Sequence, residues 1–173
     1  DYVEQALIPL GYEITREPFD VETFTEFTDP VLEATSPDPV THVPGEDFVT
    51  MQYSGAGDLV ALVNGVETSS GSSGCTAAAF TGFQTGNIAL IRRGGCTFRT
   101  KALNAQNAGA AAVLVFNNTG GLFTPTLGND PGVNIPVLMT TAALGQELDA
   151  GTANGITVRV AVDAELVTVA TEN

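Results

Sequence analysis

The stretch that decides the fold is Gly86–Asn118, GNIALIRRGGCTFRTKALNAQNAGAAAVLVFNN. It opens on a short apolar run, Ile88-Ala89-Leu90-Ile91, with no alternation, as a strand covered on both faces requires. Arg92 to Cys96 is a glycine-rich turn, and Thr97 can cap a helix. On that helix Phe98, Ala102, Ala105 and Gly109 form one stripe, whose small residues let a helix lie close to a sheet. Gly109 stops it. Ala110–Phe116 is a second buried strand, leading into the polar loop Asn117-Asn118-Thr119-Gly120-Gly121.

Outward from this core, Ile135–Met139 reads as a third short strand. Thr141–Ala150 reads as a helix capped by Thr141 and stopped by Gly151, and Thr157–Val162 and Leu166–Ala170 as closing strands. From residue 88 the order is strand, helix, strand, strand, helix, strand, which is mixed α/β with strand-rich flanks. On the other side, Leu59–Val63 is a β-branched strand and Ser69–Gly74 a low-complexity loop. Val3, Ala6, Leu7 and Leu10 have helical spacing, with Pro9 shortening or kinking the helix. Tyr12–Phe19 reads as a strand. Residues 20–47 carry Pro30, Pro37, Pro39 and Pro44 among acidic residues and read as a boundary loop.

Composition narrows the function. The 173 residues suffice for one domain with a core, and mean hydropathy is +0.17. The net charge is −14, from 20 acidic and 6 basic residues, which disfavours nucleic acid and anionic membranes as partners. No apolar run approaches the roughly 20 residues of a membrane span, and no signal peptide is visible. Arg92, Arg93, Arg99 and Lys101 concentrate the basic charge in ten residues.

The usual catalytic sets are missing. His42 is the sole histidine, in a proline-rich loop where a solvated side chain is expected, so neither a metal site nor a serine-hydrolase base is offered. Gly55-Ala56-Gly57 lacks the third glycine and the helix of a dinucleotide fingerprint. Asp29, Glu33, Glu46 and Asp47 match no calcium loop. Asn117-Asn118-Thr119 is a glycosylation acceptor triplet, meaningful only if a eukaryotic secretory cell makes the chain. Cys75 and Cys96 form no CxxC; they are either two buried thiols or a disulfide. The disulfide is the preferred reading, because both lie in glycine-rich loops.

Gly86–Asn118 resembles the core of protease-associated (PA) domains: a strand ending in a basic residue and glycine, cysteine-x-phenylalanine at Cys96 and Phe98, Lys101, an alanine-glycine helix end, and a strand ending in asparagine. Ile135-Pro136-Val137 and the helix with Gly145 and Leu148 fit the same pattern. The flanks Tyr2–Phe19, Phe48–Gly57 and Gly74-Cys75 resemble zinc aminopeptidases of the aminopeptidase Y type, where the PA domain is inserted near the front of the catalytic domain.

The resemblance implies a mixed α/β, strand-rich PA fold, with a β-sandwich or open-barrel-like sheet core flanked by short helices. It divides the chain into 1–24, resembling the start of a catalytic domain; 25–165, the PA domain; and 166–173, a closing strand and link. It implies a non-catalytic module of a secreted, extracellular peptidase, with no cofactor in this chain and zinc confined to the catalytic domain. The implied partners are that catalytic domain and a peptide or protein substrate, with no nucleic acid and no membrane. The alternatives are a luminal PA domain of a sorting receptor or membrane-tethered ubiquitin ligase, or one inserted in a subtilisin-type protease. The expected partner surface joins Arg92, Arg93 and Arg99 to Asn117, Asn118, Leu122 and Phe123, the last two either turned outward or packed beneath their loop.

Overall fold

A computed structural model describes residues 2–129 and 132–172. The chain divides into two compact units, residues 1–23 with 166–173, and residues 24–165.

In the first unit, helix α1 (Tyr2–Leu7) tightens into a 3₁₀ turn at Ile8–Leu10 and ends on Gly11 at φ 83°. Pro9 causes this, since it cannot donate in a continuing α-helix. Glu4 accepts two hydrogen bonds from Arg16, at 2.6 and 3.1 Å. Strand β1 (Pro18–Glu26) pairs with β10 (Ala164–Glu172) in a two-stranded ribbon. The strand expected at Tyr12–Phe19 is thus displaced: residues 12–17 have no regular structure. The boundary loop expected at 20–47 instead holds most of β1, β2 (Val31–Ser36) and β3 (Val40–Thr41). A ribbon exposed on both faces, or an edge strand, needs little apolar alternation, so acidic and proline-bearing sequence can form it.

The second unit is one eight-stranded sheet in the order β3-β2-β9-β5-β6-β7-β8-β4. Its further strands are β4 (Phe48–Thr50), β5 (Gly57–Val66), β6 (Ile88–Arg92), β7 (Ala112–Phe116), β8 (Val137–Thr140) and β9 (Thr157–Val162). Strands β5 to β8 run parallel, and the remaining pairs are antiparallel.

The two halves bury differently. In the parallel half both faces are covered. Ile88, Leu90 and Leu114 join Leu144 and Leu148 of α3 (Ala142–Thr152) in one core, while Ala89, Ile91, Val113 and Val115 join Ala102 and Ala105 of α2 (Phe98–Asn107) in a second. Each fully buried Val, Leu or Ile contributes about 1.5–3 kcal/mol, and Ile88–Ile91 are all at 0% exposure. That is why this stretch reads as unbroken apolar sequence. In the antiparallel half only alternate residues of β9 are buried, Val158, Val160 and Val162. Arg159 on the outer face donates to both carboxylate oxygens of Asp58 at 2.9 Å.

Helix α3 starts at its Thr141 cap, whose hydroxyl accepts from the Leu144 amide, but passes through Gly151 and ends one residue later. Gly145 lets it rest directly on β7: a Cβ there would lie 2.0 Å from that of Phe116. The result is the strand-rich mixed α/β fold with short flanking helices that the sequence implied.

Candidate functional site

The basic turn between β6 and α2 is tied down from several sides. Gly94 and Gly95 turn the chain at φ 123° and 78°, and the Thr97 hydroxyl accepts from the Thr100 amide to start α2. A disulfide joins Cys75 to Cys96, with Cα atoms 5.7 Å apart. It staples this turn to the serine-glycine loop after β5. Ser73, fully buried in that loop, donates to the carbonyl of Val66 at 2.6 Å and accepts from the Arg92 amide at 2.9 Å. Asn104 donates to the carbonyl of Gly74.

Lys101 completes the arrangement from inside. Its side chain is at 0% exposure, its ammonium donates to the carbonyl of Ser73, and Nζ lies 3.5 Å from Cys75 Sγ. Burial without a carboxylate partner pushes its pKa down to about 8. By sequence Lys101 belongs with Arg92, Arg93 and Arg99 to the concentrated basic charge; the structure makes it an interior tie. The signal was present, because Lys101 sits three residues after Phe98 and so falls on the apolar stripe of α2.

The remaining arginines do not form one patch. Arg92 ends β6 on the face covered by α3, and its Nη1 donates to the carbonyl of Ser69 at 3.3 Å. It lines a crevice of about 270 Å³ with Thr68, Ser69, Asn118, Gln146 and Asp149. Arg93 continues the ladder through its amide to the Phe116 carbonyl and turns to the opposite face. There Nη1 donates to Asn117 Oδ1 at 2.9 Å, and the guanidinium stacks 4.8 Å from the centroid of Phe123. Arg99, in the first turn of α2, brings its guanidinium toward Gly132.

Asn117 organises the loop that follows. It is 2% exposed, donates to the Gly121 carbonyl at 2.8 Å, and accepts from the Asn118 amide as well as from Arg93. It therefore holds the loop in shape, and its buried amide has no room for a glycan. Leu122 packs against the second core. Phe123 keeps 39% of its surface exposed and lies 6.2 Å from the Phe98 ring. Arg93 and Phe123 are thus the outward members of the expected surface on this face, while Arg92 and Asn118 belong to the other.

His42, expected to be solvated, is 8% exposed, and its Nε2 has no hydrogen-bond partner among the described residues. Among the described residues no group of three or more His, Cys, Asp or Glu side chains is placed to hold a metal ion. No helix among them is long and apolar enough to cross a membrane.

The PA domain family profile matches residues 56–148. The chain belongs to the PA domain family. The match spans β5 to α3 and so includes the stapled turn, Lys101 and both arginine faces. The chain is similar to an aminopeptidase of Pseudomonas aeruginosa, 41% identical over 151 residues, covering 82% of this chain and 28% of that protein. Among solved structures it is similar to an aminopeptidase from Aneurinibacillus sp. strain AM-1, with TM-score 0.76 and 29% identity over 99% of this chain and 39% of that one. A zinc aminopeptidase from Bacillus subtilis shares the fold, with TM-score 0.65 and 23% identity over 98% of this chain and 38% of that one. The chain thus spans under a third of the curated relative's length.

Proposed function

We propose that this PA domain is the accessory, non-catalytic module of a secreted metallo-aminopeptidase, and that it uses the Arg93–Phe123 face to engage the catalytic domain or the peptide it cleaves. The observation that carries the reading is the extent of the aminopeptidase likeness. It runs over 82% of this chain, well beyond the family core at 56–148, yet covers 28% of the relative. A module shared at that share of length leaves most of the enzyme, with its chemistry, to other residues.

The zinc named in the Bacillus enzyme's description belongs, in this reading, to the catalytic part of such a protein. The side chains here do not fit it, since the described residues offer no metal-ligating group and His42 is buried. The disulfide accords with an oxidising, extracellular setting.

The Arg93–Phe123 face suits recognition because it is preordered. Asn117 fixes the loop, and the arginine stacks on a half-exposed ring, so little conformational freedom is lost when a partner docks. A cation beside an aromatic ring, on a chain of net charge −14, favours a carboxylate or an acidic patch. The test joins this domain to its catalytic partner and compares wild type with Arg93→Ala and Phe123→Ala, each first shown to be folded. The proposal expects altered peptide selectivity or weakened domain association; unchanged selectivity and association in both variants would overturn it.

A further inference from the structure

The crevice on the opposite face has a chemistry of its own. It lies at the carboxyl ends of parallel strands β6 and β7, the position where such sheets leave a cleft between diverging loops. Arg92 comes from the end of β6, Thr68 and Ser69 from the loop after β5, Asn118 from the loop after β7, and Gln146 and Asp149 from α3. Phe116 and Ala142 supply an apolar wall.

Two opposite charges share this crevice without neutralising each other. The Arg92 guanidinium donates to the Ser69 carbonyl and has no carboxylate partner among the described residues. The Asp149 carboxylate, half-buried and close to Gly65, has no hydrogen bond or ion pair among the described residues. A cation and an anion on one small pocket, held too far apart to bridge, suit a ligand carrying the complementary pair. The volume of about 270 Å³ falls just below the roughly 300–1,000 Å³ of drug-sized sites. It has room for a single residue, not for a folded segment.

We propose that this crevice binds a free α-amino acid, its carboxylate on Arg92 and its ammonium on Asp149, with Gln146 and Asn118 as hydrogen-bonding partners and the side chain toward Phe116 and Ala142. This rests on the aminopeptidase reading, because an enzyme that removes N-terminal residues releases such a molecule, and a site for it on the accessory domain would report accumulated product. A peptide N-terminus offers only the ammonium and a peptide C-terminus only the carboxylate, so the two-charge site prefers the free amino acid to either.

The experiment is calorimetric titration of the full 173-residue chain with L-leucine, N-acetyl-leucine and leucinamide, repeated with Arg92→Gln and Asp149→Asn. Leucine is expected to bind about ten-fold or more tightly than either blocked form, the scale of one charge-assisted hydrogen bond. Arg92→Gln is expected to erase the preference for leucine over leucinamide, and Asp149→Asn the preference over N-acetyl-leucine. Both substitutions remove a charge at a partly exposed position, Asp149→Asn without change of shape, and matching melting curves establish that the variants are folded. The inference is overturned if leucine shows no saturable binding, if the blocked forms bind as well, or if the variants leave the preferences intact. The titration needs no catalytic domain and leaves Arg93 and Phe123 untouched, so its failure is separable from failure of the proposed function.

Discussion

Lys101 offers a direct reading of the interior by pH. In the unfolded chain it titrates near 10.5; in the folded chain burial brings it to about 8. Below pH 8 both states carry the proton, and the native state bears the full cost of a buried ammonium that only a carbonyl and a disulfide sulfur approach. Between pH 8 and 10.5 the native lysine has shed its proton while the unfolded one keeps it. The unfolded state then binds more protons, and the free energy of unfolding rises with pH. The full change is about 3 kcal/mol, of which about 2 kcal/mol falls between pH 7 and 9.5. The quantity to measure is the difference between wild type and Lys101→Met, which keeps the length and apolar stem and cancels whatever the two proteins have in common.

Urea denaturation at pH 7, 8, 9 and 9.5 supplies it. Wild type should gain about 2 kcal/mol on Lys101→Met over that range, or roughly 4–8 °C in melting temperature for a chain of this size. The absolute effect at pH 7 is a poorer readout, since the substitution removes both an unfavourable charge and the tie to Ser73. If the difference between the two proteins stays constant within about 0.5 kcal/mol, Lys101 keeps its ordinary pKa and is not the uncompensated interior charge described here.

Three further outcomes follow from the packing. Replacing Cys75 and Cys96 together by alanine should cost about 3 kcal/mol, the loop-closure entropy for a 21-residue separation; a loss below about 1 kcal/mol by denaturation would show that the loop stays ordered without the bond. Gly145→Ala should destabilise by about 2 kcal/mol or more, because its methyl would overlap Phe116 and lift α3 from β7; an unchanged melting temperature would contradict that contact. Expressed through a eukaryotic secretory pathway, the chain should carry no glycan at Asn117, whose amide is buried and hydrogen-bonded; a glycosidase-sensitive mass increase mapped to Asn117 would refute this.

The parallel half of the sheet was legible because its physics is redundant. Ile88–Ile91 and Ala112–Phe116 are buried on both faces, and their sequences are correspondingly uniform. The Thr97 and Thr141 caps mark the helix starts through their side-chain oxygens. The first strands were not legible for the opposite reason. In β1 most residues are exposed, so Pro18–Glu26 shows no alternation to separate it from an acidic loop. The edge strand β3 has two exposed residues and draws its order from pairing with Glu33 and Ala34, which no local pattern reports. His42 follows β3 inward although its sequence neighbours are those of a loop.

The basic doublet shows how a single rule divides a candidate site. Read as composition, Arg92, Arg93, Arg99 and Lys101 are one cluster. Read with the period of a strand, Arg92 and Arg93 must point to opposite faces, because the ladder continues through the Arg93 amide to the Phe116 carbonyl. Lys101, on the helix behind the turn, is drawn inward by the stripe that buries Ala102 and Ala105. Arg92 is left over the α3 crevice with Asp149, and Arg93 over Phe123 with Asn117. The two guanidiniums donate to different acceptors on opposite faces of the sheet, and their surroundings meet only at Asn117, which accepts from Arg93 and also lines the Arg92 crevice. Substituting one should therefore leave the other's behaviour intact, and the double variant should show the sum of the two effects. A non-additive result would mean that the stapled turn moves as a unit, with Ser73, whose hydroxyl accepts from the Arg92 amide and whose carbonyl accepts from the Lys101 ammonium, as its hinge.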